Sequence, residues 1–575
     1  MNSAELAHRL LLTSESEPFY LVACLWSAVL VVAWLASHSR GAQTPTVAAP
    51  RPGRLTLRIG ENVLVILSAA AVAAFAGACV VYLRTEFFHD HTEPAAMVLS
   101  WKFALGQPIY HDPDSAARYS LLYGPLVFAA NALGMGLLGP SLLSAKLAGA
   151  VAGVGGLLIL FFCLRGAFGW RRGLIGAGYA ALCGLAFEDT LFNPRPDAQL
   201  FFWGCLGVAA ASSRAGLPAA LGLGLAAGAA VGCKAHAWLY FVPLLALLLR
   251  RHGRGRLAAA LLAAVVLAAL PFALFRQVSW ANYRYWLMAA AQHGFSWDLL
   301  VGNLRWAAVL AAPVLVAILF RAFTLGRKGV GLSAPGRVLA FVGAAAMAAV
   351  CVLGAKRAAG PHHLLPFLPM LAYAACEMWE LTDQTELRAP AASGLRASCP
   401  RWLGPALVAA LLVALLPGVA SRAWRMTAGL LRADKTGREL SEEVASVLTR
   451  HPYVSIHMGC AGNRTYPLTW VRPLLEFAGR PVQLDPVALM DMAGSRLPLP
   501  AATLELVARG RNDLWLVPRG EPPFSLLHDY RGPPGEPVFP AEFREAFLSN
   551  LEPVERTRFF EVWAPSPSGR KPITQ

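Results

Sequence analysis

The chain reads Arg84-Thr-Glu-Phe-Phe-His-Asp90-His-Thr-Glu93-Pro94 where a long apolar run ends, and continues through Trp101, Gly106 and Tyr110 to Tyr119-Ser-Leu-Leu-Tyr123-Gly124-Pro125. Glu86, His89, Asp90, His91 and Glu93 crowd together there, against a background that is mostly alanine and leucine. Ionisable groups at a membrane surface mark a functional site by default. Thr92 can cap a helix, Glu93 and Pro94 suit its first turn, and Gly106 stops it. The resulting segment is too short to cross a bilayer, which takes roughly 20 residues. It reads instead as a helix lying in the interface, with Val98, Leu99, Trp101 and Phe103 facing lipid or protein and Asp90 and Glu93 held at its amino end.

Outward from this stretch the composition is that of an integral membrane protein: 575 residues, 56% hydrophobic and only 15% charged. The ten cysteines are scattered singly, mostly inside apolar runs, so neither a disulfide framework nor a zinc site is indicated. The net charge of +16 belongs mainly to the apolar part, because acids and bases nearly balance from Arg422 onward. Those bases gather in short loops, which is the pattern of orientation in a bilayer, and no nucleic-acid partner is expected.

The first apolar run, 18 to 37, precedes a loop with Arg40, Arg51, Arg54 and Arg58. The positive-inside rule puts that loop in the cytoplasm, so a second run, 62 to 83, delivers the acidic stretch to the outer face. Residues 125 to 138 are short and read as a second interfacial helix. Runs at 141 to 164, 174 to 187, 198 to 212, 217 to 232, 237 to 249, 257 to 275, 302 to 320, 337 to 354, 364 to 380 and 403 to 421 follow. The expected architecture is an α-helical polytopic membrane protein of about 12 transmembrane helices. Its parts are an amino-terminal helix and basic loop (1–60), a transmembrane part (61–422) with a first outer loop at 84–140, and an extracytoplasmic α/β domain (423–575). That last domain rests on strand-like runs at Tyr453 to His457, Asp513 to Val517 and Phe559 to Trp563, alternating with polar helical stretches. Gly459-Cys-Ala-Gly462 reads as a plain strand-to-helix turn, since the full nucleotide-binding fingerprint is missing.

With that topology the outer side collects Asp90 and Glu93; Glu188-Asp189 and Asn193-Pro-Arg195-Pro-Asp197; Lys234 with His236; and Lys356-Arg357 followed by Gly360-Pro-His362-His363. A carboxylate partly desolvated beside the bilayer has a raised proton affinity and can act as a general base, while Lys and Arg hold phosphoryl oxygens. Plainer roles compete: helix-dipole capping for Asp90 and Glu93, snorkelling for Arg84, Lys356 and Arg357, a local ion pair for Arg195 and Asp197, neutral packing for His362 and His363, and an aromatic belt for Tyr110, Tyr119 and Tyr123.

Three of these stretches carry a resemblance to the GT-C superfamily of membrane glycosyltransferases, which includes the protein O-mannosyltransferases and the bacterial aminoarabinose transferases. Asp90-His-Thr-Glu93 with Gly106-Gln-Pro-Ile-Tyr110 and Tyr123-Gly-Pro125 resembles their first outer loop. Asn193-Pro-Arg195-Pro-Asp197 is similar to the Arg-Pro-Asp entry to a span, and Gly360-Pro-His-His363-Leu-Leu-Pro366-Phe-Leu-Pro369 to their late outer-loop segment. The resemblance covers roughly residues 60 to 422 and implies transfer of a sugar from a polyprenyl-phosphate carrier to a glycan, lipid or protein acceptor at the outer face of a bacterial plasma membrane. It implies Asp90, then Glu93, as catalytic acids of the first outer loop, acting on the acceptor hydroxyl. Glu188 and Asp189 are the implied acceptor or divalent-metal residues, with Asp197, His89 and His91 as further candidates. Because the acids are adjacent and not separated by one residue, the metal stays open and no cofactor is certain.

Arg195, Lys234, His362, His363, Lys356 and Arg357 are then the expected phosphate-binding set, with Tyr110 and Tyr123 lining the substrate. A transporter or lipid flippase is the alternative, and a catalytically silent assembly protein a third reading. A transporter would carry its charges near mid-bilayer, whereas these sit at span ends.

Overall fold

The computed structural model describes residues 53–329, 334–388, 403–508, 513–528 and 535–566. The run at 18 to 37 and most of the basic loop that follows lie outside them. Helix α1 (Gly53–Arg84) ends at the acidic stretch, α2 (Thr92–Ala104) and α3 (Pro125–Leu138) are two short helices, and α4 (Leu142–Phe168) follows. Helices α5 (Trp170–Ala186), α6 (Pro196–Ser212), α7 (Gly216–Cys233), α8 (Trp238–His252) and α9 (Arg254–Leu274) follow with short connections. Among the described residues five segments are long and apolar enough to cross a membrane: Glu61–Arg84, Leu142–Phe168, Gly216–Cys233, Arg254–Leu274 and Trp297–Ile318. The chain is a multi-pass membrane protein, mostly helical, with a small carboxy-terminal sheet.

Loop backbone packs closely on helices where glycine faces it. A Cβ on Gly149 of α4 would stand 1.9 Å from the carbonyl oxygen of Asn193, and one on Gly153 2.0 Å from that of Leu191. The turn that leads into Arg195 is therefore seated directly on α4. Gly149→Ala should push it away and cost about 1–3 kcal/mol, read as a lowered Tm of the purified protein. At Gly124 the same closeness, 2.2 Å to the Gly232 carbonyl oxygen, brings the first outer loop against the end of α7. The Gly124 amide donates to the Cys233 carbonyl at 2.8 Å, which sets Tyr123 beside Lys234.

A third short helix, α10 (Trp280–Ala290), lies between α9 and α11 (Trp297–Gly329). It falls between the apolar runs at 257 to 275 and 302 to 320, where the sequence marks no span. Tyr283, Trp286, Ala289 and Ala290 recur at helical spacing and are buried, while Trp280 and Met288 are 57% and 58% exposed. An amphipathic helix with an aromatic outer face between two membrane-length helices belongs at the interface. After α12 (Ala334–Leu353), a 3-10 turn over Pro361–Phe367 leads into α13 (Leu368–Arg388).

The boundary expected at 422 falls within one helix, α14 (Leu403–Arg450), which runs on into the carboxy-terminal part. There β1 (Ile456–Met458) pairs in parallel with β2 (Leu514–Pro518), which pairs antiparallel with β4 (Phe560–Pro565), and β3 (Leu551–Arg556) closes the edge. This sheet and its helices share one apolar core with the outer loop: Phe88, Met97, Leu99, Phe103 and Tyr110 belong with Val487, Met490, Trp515, Phe524 and Phe547. The face of α2 expected to meet lipid or protein meets protein.

Buried polar contacts join the same two layers. Lys102 Nζ lies 3.1 Å from Glu476 Oε1, and Arg472 donates to Asp485 at 2.8 and 3.2 Å and to the His91 carbonyl at 3.0 Å. Backbone pairing of Arg118 with Gln483 and Asp485 adds a strand-like seam.

Candidate functional site

A cavity of about 680 Å³ opens between the first outer loop, the starts of α6 and α8, helix α10 and the 3-10 turn at Pro361–Phe367. Asp90, Tyr123, Arg195, Lys234, Lys356, His362 and His363 all reach its wall. Side chains more than 250 positions apart in the chain thus meet at one place, as the one-sided charge pattern required.

Arg195 holds the centre. Its Nη1 donates to Asp90 Oδ2 at 2.9 Å, while Nη2 lies 3.6 Å from Asp197 Oδ2 and 3.3 Å from His362 Nε2. Arg195 sits just before Pro196, which opens α6, so the helix start fixes the direction in which the guanidinium leaves the backbone. Lys234, in extended conformation at the end of α7, approaches Asp197 Oδ1 at 3.6 Å. His236 stacks on His363 with ring centroids 5.2 Å apart, and Tyr240 donates its hydroxyl to the His363 carbonyl at 2.9 Å. Lys356 Nζ donates to the Ala290 carbonyl at 3.1 Å, tying α10 to the cavity.

Asp90 corrects two expectations. Thr92 is the first helical residue and not the cap, a position His91 takes without a side-chain bond; Asp90 Oδ1, one residue earlier, accepts from the Thr92 amide at 2.6 Å and from the Thr92 hydroxyl. Burial alone would raise its proton affinity, but the Arg195 charge, His91 and the Thr92 donors outweigh that and hold the carboxyl well below the usual range. The raised affinity expected of a carboxylate at the membrane edge belongs to Glu93 instead. Burial, then the charge of Asp189, push its carboxyl well up, against the hydrogen bond it accepts from Tyr82. His362 and His236 are each pushed down to about 3, mainly by burial; nearby Lys234 adds to this, partly offset by Asp197. Both rings are therefore neutral and can donate or accept a hydrogen bond.

Other candidates fall elsewhere. Glu93 is fully buried behind Asp90 and is not part of the cavity wall. Tyr110 is also buried, donating to the Tyr123 carbonyl at 2.7 Å, so it supports the wall without forming it. Arg357 is exposed and outside the cavity. His91 packs its ring 5.9 Å from that of Tyr466 and gives its carbonyl to Arg472. Glu188 and Asp189 lie to one side, where His89 meets them through opposite ring nitrogens at 3.4 and 3.6 Å. Opposite nitrogens of one ring cannot ligate a single ion, so this trio is not built for a metal.

Asp197, His362 and His363 do bring ligand-type atoms within 4.8 Å of one another. The Asp197 carboxylate, however, already faces the Lys234 ammonium and the Arg195 guanidinium, and His362 Nε2 also faces Arg195. A divalent cation would add charge where cations already surround the acid, so these residues fit an anion better than a metal.

Lys146 was missed. It is fully buried in α4 and donates to the carbonyls of Tyr82, Thr85 and Phe87 at 3.1, 2.7 and 2.6 Å. A lone lysine inside an apolar run was the available signal.

No family model matches the chain, and no curated protein matches it. Its fold is nevertheless a known one, shared with solved structures. The chain superposes on ArnT from Cupriavidus metallidurans bound to undecaprenyl phosphate with a TM-score of 0.54 at 16% identity, covering 88% of this chain and 99% of that chain. Against the same protein in the apo state the TM-score is 0.51 at 16% identity, over 88% and 98%.

Proposed function

We propose that this chain is a membrane glycosyltransferase that moves a sugar from a polyprenyl-phosphate-linked donor to an acceptor at the outer, extracytoplasmic face. The observation that carries the reading is the cavity whose wall holds Arg195, Lys234 and Lys356 together with the carboxylate of Asp90. Three cations with two carboxylates, Asp90 and Asp197, among them leave a positive surplus that suits a phosphate group. The apolar part of the wall, Leu287, Met288, Phe295, Val352 and Leu353, suits a polyprenyl chain. ArnT, whose fold this is, has been captured with undecaprenyl phosphate.

In the reaction the acceptor hydroxyl hydrogen-bonds to the free lone pairs of Asp90. As the new glycosidic bond forms, the bond from the anomeric carbon to the phosphate oxygen breaks and the hydroxyl proton passes to Asp90. The charge left on the polyprenyl phosphate falls on Arg195 and Lys234. Attack from the face opposite the leaving group inverts the anomeric centre. Asp90 is a weak base at rest, so its first task is to orient the hydroxyl, and it takes the proton only when bond formation has made that hydroxyl acidic.

Asp90→Asn tests this. It retains the shape and one acceptor oxygen for Thr92 but cannot take a proton. Transfer from a labelled polyprenyl-phosphate sugar in proteoliposomes is expected to fall by about 10²–10⁴-fold with the fold intact. Full activity of that variant would remove Asp90 from the chemistry.

A further inference from the structure

Behind Asp90, on the side away from the cavity, lies a buried polar knot that the reaction as written does not use. Glu93, the second residue of α2, accepts from the Asp90 amide through Oε1 at 2.9 Å and from the Tyr82 hydroxyl through Oε2. Asp189 is 3% exposed, and its Oδ2 is buried without a hydrogen-bonding partner among the described residues. It stands close enough to Glu93 for the two carboxyls to interact directly. Lys146 closes the knot from below, its ammonium on the Tyr82, Thr85 and Phe87 carbonyls and 4.3 Å from the centre of the Tyr82 ring. The neighbouring Glu188 is held at φ 60, a conformation a glutamate rarely adopts, so the second outer loop bends there at some cost to present Asp189.

Two ionised carboxylates cannot share such a site, and one orphaned carboxylate oxygen calls for a donor. We infer that Glu93 is a protonated positioning residue whose carboxyl proton bridges to Asp189, clamping the first outer loop to the second so that Asp90 is presented to Arg195. The reading rests on the function proposed above but reassigns Glu93 from the chemistry to the scaffold. One proton shared by the pair leaves a single negative charge opposite Lys146, and that balance decides how substitutions behave. Glu93→Gln keeps the charge: its amide can donate to Asp189 while its oxygen still accepts from the Asp90 amide. Glu93→Ala deletes the bridge and frees the turn at Asp90.

The test uses the full-length protein in proteoliposomes. An infrared difference spectrum of wild type minus Glu93→Gln at neutral pH is expected to contain the carbonyl band of a protonated carboxyl, sensitive to deuterium oxide and shifted in Asp189→Asn. Binding of undecaprenyl phosphate is expected to be close to wild type in Glu93→Gln and about tenfold or more weaker in Glu93→Ala, because the Asp90–Arg195 pair loses its placement. In a transfer assay Glu93→Ala should lose about 10²-fold in kcat, the cost of a misplaced reacting group, and Glu93→Gln should recover most of it. A spectrum holding only carboxylate bands, or a Glu93→Gln variant as impaired as Glu93→Ala, would overturn the inference. If wild type itself fails to bind undecaprenyl phosphate, the functional reading falls, and the infrared band still decides the protonation of Glu93.

Discussion

Replacing Arg195 by methionine is expected to weaken binding of a polyprenyl phosphate by about two to three orders of magnitude, and to remove transfer with it. Truncating one partner of a buried, hydrogen-bonded charge pair typically costs about 2–5 kcal/mol, and each 1.4 kcal/mol is tenfold in affinity. Here one guanidinium serves Asp90 at 2.9 Å, His362 at 3.3 Å and Asp197 at 3.6 Å. Its loss both deletes a phosphate ligand and leaves two carboxylates to repel the phosphate. The proton affinity of Asp90, held down by Arg195, should rise, so any residual activity should follow an acid limb displaced to higher pH. Arg195→Lys should rescue poorly, because a compact ammonium lacks the planar fork that lets one guanidinium reach Asp90, His362 and Asp197 from separate nitrogens.

The second large effect concerns stability. Arg472 and Asp485 are 0% and 1% exposed and pair at 2.8 and 3.2 Å, with further guanidinium donors on the His91 and Thr469 carbonyls at 3.0 and 3.3 Å. Arg472→Met strands Asp485 as a buried unpaired charge, and about 3–5 kcal/mol of stability should go with it. The damage should be local first: the carboxy-terminal layer loses its hold on the loop that bears Asp90, and limited proteolysis should release it before the membrane helices unfold. Adding Asp485→Leu should return part of the loss, since the penalty lies in the widowed charge and not in the absence of the pair. An unchanged Tm in Arg472→Met would mean that the two layers are held by their apolar core alone.

Much of this architecture was legible in the chain. Long apolar runs gave α4, α7 and α9 within a few residues of their ends, and the short run at 125 to 138 is α3 at the expected bounds. Helix α10 escaped because Trp280-Ala-Asn-Tyr-Arg-Tyr-Trp286 mixes arginine with aromatics, and an interfacial helix satisfies water on one side and lipid on the other, so neither its polarity nor its length announces it. Strand β3 escaped as an edge strand with Pro553 and a mostly exposed face, which breaks the alternation that marks buried strands.

At the site, charge location at span ends was enough to assemble Asp90, Arg195, Lys234, His362 and His363, because membrane topology alone forces them to one rim. What topology cannot say is which acid keeps its proton. That depends on the partners each carboxyl meets in the fold: Asp90, at the cavity wall, has Arg195 and the Thr92 donors, whereas Glu93, three positions on, is fully buried beside Asp189.

The most direct test of the account is the affinity of the purified protein in nanodiscs for undecaprenyl phosphate, compared with Arg195→Met and with Arg357→Met, whose side chain is exposed and outside the cavity. The account predicts saturable binding to wild type, the same binding to Arg357→Met, and a loss confined to Arg195→Met. Equal binding to all three, or none to the wild type, would contradict it.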